Sequence, residues 1–171
     1  TSFIYPVVVH WVWDTEGWLS AFKSEDRLGD NGLIDFAGSG VVHMVGGLAG
    51  LVGAYVVGPR DGCRPKEDIL ISGQSNIYCA LGTLILYVGW FGFNCGSTLA
   101  ADGGGIELAG KVAVTTMLSA SSAGAVCCAW SAVVRKNYSI TLVMNGILAG
   151  LVSITAPCAV VEPWGAFCTG A

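Results

Sequence analysis

Residues 35–60 read DFAGSGVVHMVGGLAGLVGAYVVGPR, and this stretch indicates the fold more directly than any other part of the chain. Asp35 precedes a long apolar run, His43 lies inside the run, and Arg60 follows its end. The pattern is typical of a helix that crosses a bilayer, which needs about 20 mostly apolar residues. An ionisable side chain within hydrocarbon is costly, so His43 is a candidate functional residue.

The composition favours a membrane protein. Of 171 residues, 53% are hydrophobic and 12% are charged, whereas a soluble domain carries about 25% charged residues. The formal net charge is −4 without a basic stripe, so we expect no nucleic-acid partner. The seven cysteines form neither a CxxC pair nor a zinc spacing with histidine, so we expect no metal. Because the chain starts at Thr1 without a signal peptide, we expect an internal fragment of a longer protein.

Four segments are long and apolar enough to span a bilayer, and a shorter run precedes them. The full spans are predicted at residues 36–57, 77–101, 112–134 and 138–161, and the partial span at residues 1–13. We therefore predict one all-α integral membrane domain over residues 1–171. Three GxxxG pairs, at Gly46/Gly50, Gly92/Gly96 and Gly146/Gly150, predict close packing between helices.

The loops predict the orientation of these spans. Basic residues are concentrated in the loop at residues 58–73, through Arg60, Arg64 and Lys66, and after the third full span, through Arg135 and Lys136. Positively charged loops stay in the cytoplasm. The acid-rich loop at residues 14–35 would then lie outside, together with residues 102–110.

Two interpretations of His43 remain open. It lies about eight residues inside its span, or about 12 Å at 1.5 Å per residue, so it cannot reach water along the helix. It can relay a proton near neutral pH, or it can form a hydrogen bond between helices. Asp35 is likewise either a helix cap or an acid that attracts a cation to the outer mouth.

A polar and aromatic face is predicted on the second full span. Trp90, Phe93, Asn94 and Ser97 follow helical spacing. Aromatic faces attract ammonium-type cations, and a serine hydroxyl can accept a hydrogen bond from one. The same spacing also suits a simple packing stripe. The tryptophans at positions 11, 13 and 18 are explained by an aromatic belt at the membrane surface.

Enzyme chemistry has no support in the sequence. It contains no phosphate loop, no Ser/His/Asp arrangement and no HExxH motif. We therefore expect a protein that is not an enzyme and needs no cofactor.

Two specific stretches resemble the ammonium transporter family (Amt/Mep/Rh), in its plant- and alga-type branch. They are residues 35–60 and the motif GWFGFNCGS at residues 89–97, with weaker similarity at residues 5–13, 81–83, 115–119 and 145–164. The resemblance places the chain from the end of helix four through helix eight. It implies a fold of eleven membrane helices in two inverted halves, a homotrimer with one pore per subunit, and a multi-pass protein of the plasma membrane.

The resemblance also implies roles for six residues. Trp13 and Ser97 match an outer ammonium-recruitment site, and Asp35 matches the acid near it, which serves the structure and, in one interpretation, deprotonation. Phe93 matches one of two gate phenylalanines, His43 the first of two paired pore histidines, and Trp90 a pore-side tryptophan below the gate. The second histidine and the other phenylalanine match positions outside residues 1–171.

The implied function is transport of ammonium, with methylammonium as an analogue. NH4+ is recruited outside and deprotonated, and NH3 crosses an apolar pore while the proton is relayed. The alternatives are an ammonium sensor and an electroneutral channel of the Rhesus type. Two positions depart from the family pattern: Cys95 replaces a common Pro or Ala, and Pro157 is expected to kink the last span.

Overall fold

The computed structural model describes residues 2–60 and 73–171, and the regular secondary structure in these ranges is helical apart from one isolated bridge between Ser20 and Leu33. The α-helices are α1 (Ile4–Trp13), α2 (Val45–Val57), α3 (Asn76–Gly96), α4 (Gly103–Val133), α5 (Ile140–Thr155) and α6 (Pro163–Gly170). A π-helical turn, Ser39–Met44, leads directly into α2, and a short 3-10 turn covers Leu28–Asp30. The prediction of an all-α protein is confirmed.

Three of the described helical segments are long and apolar enough to cross a membrane. They are Ser39–Val57, α3 and α4, whereas α1 and α5 are shorter apolar helices. The basic residues Arg64 and Lys66, on which part of the predicted orientation depends, lie outside the described residues.

Helix α4 is the centre of the packing, and α3, α5 and α6 all contact it. The closest approach is made by α5: a Cβ atom on Gly150 would lie 2.6 Å from the Cβ of Ala123 and 2.6 Å from the carbonyl oxygen of Ser119. Gly146 lies equally close to Cys127. The GxxxG pair on α5 therefore packs as predicted.

The other two glycine pairs behave differently. Within the described part of the chain, no atom lies within 4 Å of a Cβ built on Gly46, Gly50, Gly92 or Gly96. Helix α2 has no buried residue at all, and its apolar side chains, such as Leu51 and Tyr55, are exposed. The predicted close packing of these two pairs is therefore absent among the described residues.

The helix boundaries differ from the predicted spans. Helix α4 begins at Gly103 instead of residue 112, and its first turns therefore include Glu107 and Lys111. The Lys111 ammonium lies 3.2 Å from Oε1 of Glu162, so its charge is neutralised at the protein surface. Helix α3 ends at Gly96 instead of residue 101, and Leu99 then has a left-handed backbone (φ 54°).

Helix α5 ends at Thr155, and the expected kink at Pro157 is replaced by this helix end. Proline has no N–H to continue the helix ladder. The carbonyls of Thr155 and Ala156 accept hydrogen bonds from the main-chain N–H groups of Ala37 (3.1 Å) and Phe36 (3.0 Å). The end of α5 is thus paired with the segment that enters α2.

Helix α6 was not predicted from the sequence. Pro163 occupies its first turn, where the missing N–H costs nothing. The helix packs into α4, because the Ser122 hydroxyl donates to the carbonyl of Phe167 (2.9 Å), and Gly170 lies against Ser119 and Ser122. Residues 138–161, predicted as one span, are therefore followed by a second helix that returns along α4.

The π-helical turn explains why the second span starts later than predicted. Gly38 has a left-handed backbone (φ 103°), so helical geometry begins at Ser39 instead of residue 36. The main-chain N–H of His43 bonds to the carbonyl of Gly38, and that of Val45 bonds to the carbonyl of Gly40, both five residues back. Such turns are rare and often occur at functional sites.

Candidate functional site

Two aromatic rings, those of Trp90 and Phe93, meet the imidazole of His43. Its imidazole stacks on the Trp90 indole, with centroids 4.9 Å apart and planes 17° apart. The Phe93 ring meets the imidazole edge-on at 5.5 Å. These rings line a cavity of about 390 Å³, which we call the histidine cavity, together with Ile85, Leu86 and Gly89. The structure therefore brings together the predicted site residues His43, Trp90 and Phe93.

The hydrogen bond of His43 determines which ring nitrogen is free. Nδ1 of His43 lies 3.1 Å from the carbonyl oxygen of Gly38. A carbonyl can only accept, so Nδ1 carries the hydrogen in this contact. In the neutral ring, Nε2 then keeps its lone pair and can accept a proton or a hydrogen bond. The hydrogen bond of His43 is therefore made to the turn that begins its own helix and not to another helix, while a proton relay through Nε2 stays a prediction.

Trp90 is held by a residue that the sequence analysis missed. Its indole N–H donates to Oγ1 of Thr155 (2.9 Å), and the Thr155 hydroxyl in turn donates to the carbonyl of Leu151 (2.7 Å). Thr155 is fully buried. Its position in the sequence carries no signal, because a threonine in an apolar helix is common. The only hint is that a buried indole N–H needs an acceptor.

A second cavity, of about 580 Å³, lies beyond Phe93 on α3. We call it the Trp13 cavity, and it is lined by Trp13, Phe22, Phe36, Ser97, Thr98 and Leu99. The structure thus places the two residues of the expected recruitment site, Trp13 and Ser97, in the lining of one cavity. The Ser97 hydroxyl donates to the carbonyl of Phe93 (2.8 Å), so its oxygen remains available as an acceptor.

Asp35 does not face either cavity as a free acid. Its Oδ1 accepts from the main-chain N–H groups of Gly38 (3.0 Å) and Ser39 (2.7 Å), and its Oδ2 accepts from those of Gly40 (2.9 Å) and Val41 (2.8 Å). The residue is only 6% exposed. The four donors are the unpaired N–H groups at a helix start. The interpretation of Asp35 as a helix cap is confirmed.

Asn94 turns away from the aromatic face on which the sequence placed it. It is fully buried, and its Nδ2 donates to Oγ1 of Thr116 on α4 (3.0 Å). Among the described residues, Oδ1 of Asn94 has no hydrogen-bond partner. Asn94 therefore joins α3 to α4, while Trp90 and Phe93 face the histidine cavity.

Two further features bear on the predicted chemistry. The Trp11 and Trp18 rings meet edge-on at 5.9 Å, so two of the three belt tryptophans form a pair of their own. Across residues 2–60 and 73–171, no three His, Cys, Asp or Glu side chains lie close enough to hold a metal ion.

Comparison with known proteins decides the family. A family model described as the Ammonium Transporter Family matches residues 1–171. The chain belongs to the ammonium transporter family. It is 43% identical to ammonium transporter 1 member 2 of Arabidopsis thaliana over 182 residues, covering 99% of this chain and 35% of the relative. It is 44% identical to ammonium transporter 1 member 3 of Solanum lycopersicum over 180 residues, covering 99% of this chain and 39% of the relative.

Solved structures of this family share the fold. A structure described as a sensor Amt protein matches with a TM-score of 0.83 and 36% identity, covering 98% of this chain and 40% of that chain. Mep2 of Saccharomyces cerevisiae matches with a TM-score of 0.81 and 30% identity, covering 99% of this chain and 36% of that chain. This ammonium transporter family member is an integral membrane protein with several membrane helices, and it spans little more than a third of the lengths of its relatives.

Proposed function

We propose that the chain forms part of the substrate pathway of an ammonium transporter. In this pathway NH4+ binds in the Trp13 cavity, NH3 passes Phe93, and a relayed proton follows through His43. The observation that carries the proposal is the arrangement along α3. Ser97 lines one cavity, Trp90 lines the other, and Phe93 lies between them in sequence, with its ring on the histidine cavity and its carbonyl bonded to Ser97.

The Trp13 cavity has the chemistry to recruit a small cation. The Trp13 ring offers a π-face, which attracts a nearby cation by about 0.5–2 kcal/mol. The Ser97 oxygen can accept a hydrogen bond from an ammonium N–H group, which a potassium ion lacks. Donor hydrogens on the substrate therefore distinguish it from a metal ion of similar size.

The histidine cavity suits ammonia better than ammonium. Ile85, Leu86 and Gly89 offer no charge to compensate for a cation, and an unpaired charge in such surroundings is expensive. Separating NH4+ into neutral NH3 and a proton lowers this cost. Nε2 of His43 can take up that proton, and we propose that a second histidine beyond these residues completes the relay. Potassium cannot be divided in this way.

Asp35 takes a supporting part in this proposal. Both carboxylate oxygens already accept two N–H groups each, so the carboxylate is poorly placed to receive a proton from ammonium. Its contribution is to hold the π-helical turn that presents His43. Of the two roles considered for Asp35, these contacts support the structural role over deprotonation of ammonium.

We extend the proposal to the surroundings of the protein. We propose a homotrimer in the plasma membrane that also takes methylammonium. The exposed apolar side chains of α2 support contact with lipid or with further helices, since such a surface is unfavourable in water.

An ammonium sensor is the second candidate function. It is favoured by the match to a structure described as a sensor Amt protein, at 36% identity. Such a protein would bind ammonium in the Trp13 cavity but conduct little of it. An electroneutral channel of the Rhesus type would use the same histidine cavity without moving charge.

Measurement of charge movement separates these functions. The full-length protein is reconstituted in proteoliposomes, ammonium is added, and His43→Ala is compared with His10→Ala. His10 is an exposed histidine that lies 3.3 Å from Asp14, outside both cavities. A saturable current that is lost or unselective only in His43→Ala supports the proposal. Binding without current favours the sensor or the neutral channel, and flux measured with a pH-sensitive dye distinguishes those two.

A further inference from the structure

Thr155 contacts both of the chain segments that carry the rings of the histidine cavity. Its hydroxyl oxygen accepts the indole N–H of Trp90 on α3 (2.9 Å). Its main-chain carbonyl accepts the N–H of Ala37 (3.1 Å), in the segment that leads to His43. Thr155 is fully buried and Ala37 is 3% exposed, so water cannot replace the main-chain contact between them.

The hydrogen bonds leave Trp90 one favourable orientation. The single hydroxyl hydrogen of Thr155 is donated to the carbonyl of Leu151 (2.7 Å), so the oxygen is left as an acceptor. An indole N–H can only donate. If Trp90 turned away, the fully buried Thr155 oxygen would lose its donor, which is unfavourable in apolar surroundings. The indole plane is therefore fixed where it lies 17° from the His43 imidazole.

The main-chain contact acts on the other member of the stack. Ala37 adjoins Gly38, and the Gly38 carbonyl is the partner of Nδ1 of His43. A shift of Ala37 relative to α5 would therefore move the hydrogen-bond partner of the imidazole. Thr155 holds Trp90 through its side chain and the approach to His43 through its backbone, from one point at the end of α5.

We infer that Thr155 is a positioning residue for the ammonium pathway, an inference that rests on the proposed function. It contacts Trp90 and not the substrate, and it sets the stacking of Trp90 on His43. The orientation of the Nε2 lone pair toward the cavity follows from this stacking. Without the hydroxyl, the protein still folds but separates ammonium from potassium less well.

Thr155→Val tests this inference, because it removes the hydroxyl with little change in shape. Thr155→Ser keeps the hydroxyl and serves as the rescue. Thr83→Val is the matched control, since the nearly buried Thr83 hydroxyl donates to the carbonyl of Cys79 in its own helix (2.9 Å), and Thr83 is not among the residues that line the histidine cavity. All variants are made in the full-length protein and checked for a monodisperse elution profile before reconstitution.

The main readout is the ratio of ammonium current to potassium current. We expect Thr155→Val to lower this ratio roughly tenfold, as for the loss of one hydrogen bond at the site, and to shift the pH dependence of the current. Thr155→Ser and Thr83→Val should stay within about twofold of the unaltered protein, well below the effect of one hydrogen bond. Unchanged selectivity and an unchanged pH profile in Thr155→Val would overturn the inference.

A double variant separates positioning from a general structural effect. Residues that act through one contact give non-additive changes. Thr155→Val should therefore cause little further loss in a Trp90→Phe background, where the indole N–H is already absent. Losses that multiply across the two variants would show that Thr155 acts independently of Trp90, which contradicts the inference.

A structure of the variant keeps the test independent of transport. If the unaltered protein gives neither current nor flux, the proposed function fails, but the geometry can still be examined by cryo-electron microscopy. We expect the Trp90 ring in Thr155→Val to leave its parallel stack with His43. A Trp90 ring that keeps its place without the hydroxyl would overturn the positioning role.

Discussion

The indole nitrogen of Trp13 donates a hydrogen bond to the main-chain carbonyl of Asp35, over 2.6 Å. This contact joins the end of α1 to the turn before the π-helical segment. The side chain of Asp35 meanwhile caps that segment through four N–H groups. The position of the Trp13 ring and the start of the helix that carries His43 are thus linked through Asp35.

Trp13→Phe should weaken ammonium recruitment without abolishing it. Phenylalanine keeps an aromatic face but cannot donate to Asp35, so the ring loses its anchor and part of its cation–π attraction. We expect the half-saturation concentration for methylammonium uptake to rise about three- to tenfold. Trp11→Phe is the control, since Trp11 is an exposed ring that packs against Trp18. Equal half-saturation values in both variants would argue against a recruiting role for Trp13.

Asp35→Asn should destabilise the protein more than it changes the affinity for ammonium. The amide has one acceptor oxygen in place of two, so at least two of the four N–H groups lose a partner. Each unpaired buried group costs about 1–3 kcal/mol, and the thermal midpoint in detergent should fall accordingly. Asp14→Asn, at an exposed carboxylate that accepts from the N–H of Glu16, should change little. A stable Asp35→Asn variant with lost affinity would instead favour direct action on the cation.

Gly150→Ala should destabilise the contact between α4 and α5. The added Cβ would meet Ala123 and Ser119 at 2.6 Å each, so a backbone shift is required. Overpacking of this kind costs about 1–3 kcal/mol. Gly50→Ala, in open space among the described residues, gives the comparison and should be neutral or slightly stabilising. A similar loss of thermal stability in both variants would mean that Gly50 packs against a surface beyond these residues.

Asn94 and Thr116 should behave as one unit in a double-mutant cycle. Thr116→Val leaves the buried Asn94 amide without its acceptor, and Asn94→Leu leaves the Thr116 hydroxyl without its partner. Replacing both by apolar groups removes the unpaired atoms, so the double variant should be more stable than the sum of the single losses by about 1 kcal/mol. Chemical or thermal unfolding measures the cycle, and strict additivity would show that the contact contributes nothing.

The sequence predicted the parts of the site that depend on helical spacing. Trp90 and Phe93 are three residues apart on one helix, so their rings had to share a face. The same spacing wrongly placed Asn94 with them, because the position of a side chain around the helix does not show which neighbour it meets. The proximity of Trp13 to Ser97, far apart in sequence, could be expected only from the family resemblance.

Other features depend on tertiary contacts that leave no pattern in the sequence. Thr155 matters because of the indole and the N–H group that reach it, and neither is near it in the chain. Helix α6 is short and rich in small residues, so its stability depends on the surface of α4. The late start of the second span follows from Gly38 and the Asp35 cap, which composition alone does not reveal.

The π-helical turn makes the spacing between Asp35 and His43 intolerant of deletions. A π-turn holds one more residue than an α-turn, so losing any residue of Ser39–Met44 would restore ordinary helix at little local cost. A loss between Gly38 and His43 would also change the chain distance from the Gly38 carbonyl to the imidazole whose Nδ1 bonds to it. The contact between Nδ1 of His43 and the Gly38 carbonyl would then be lost, while the Asp35 cap and the helix both survived. Sequence alignments of this region should therefore place gaps outside the eight-residue step from Asp35 to His43, even where its residues vary.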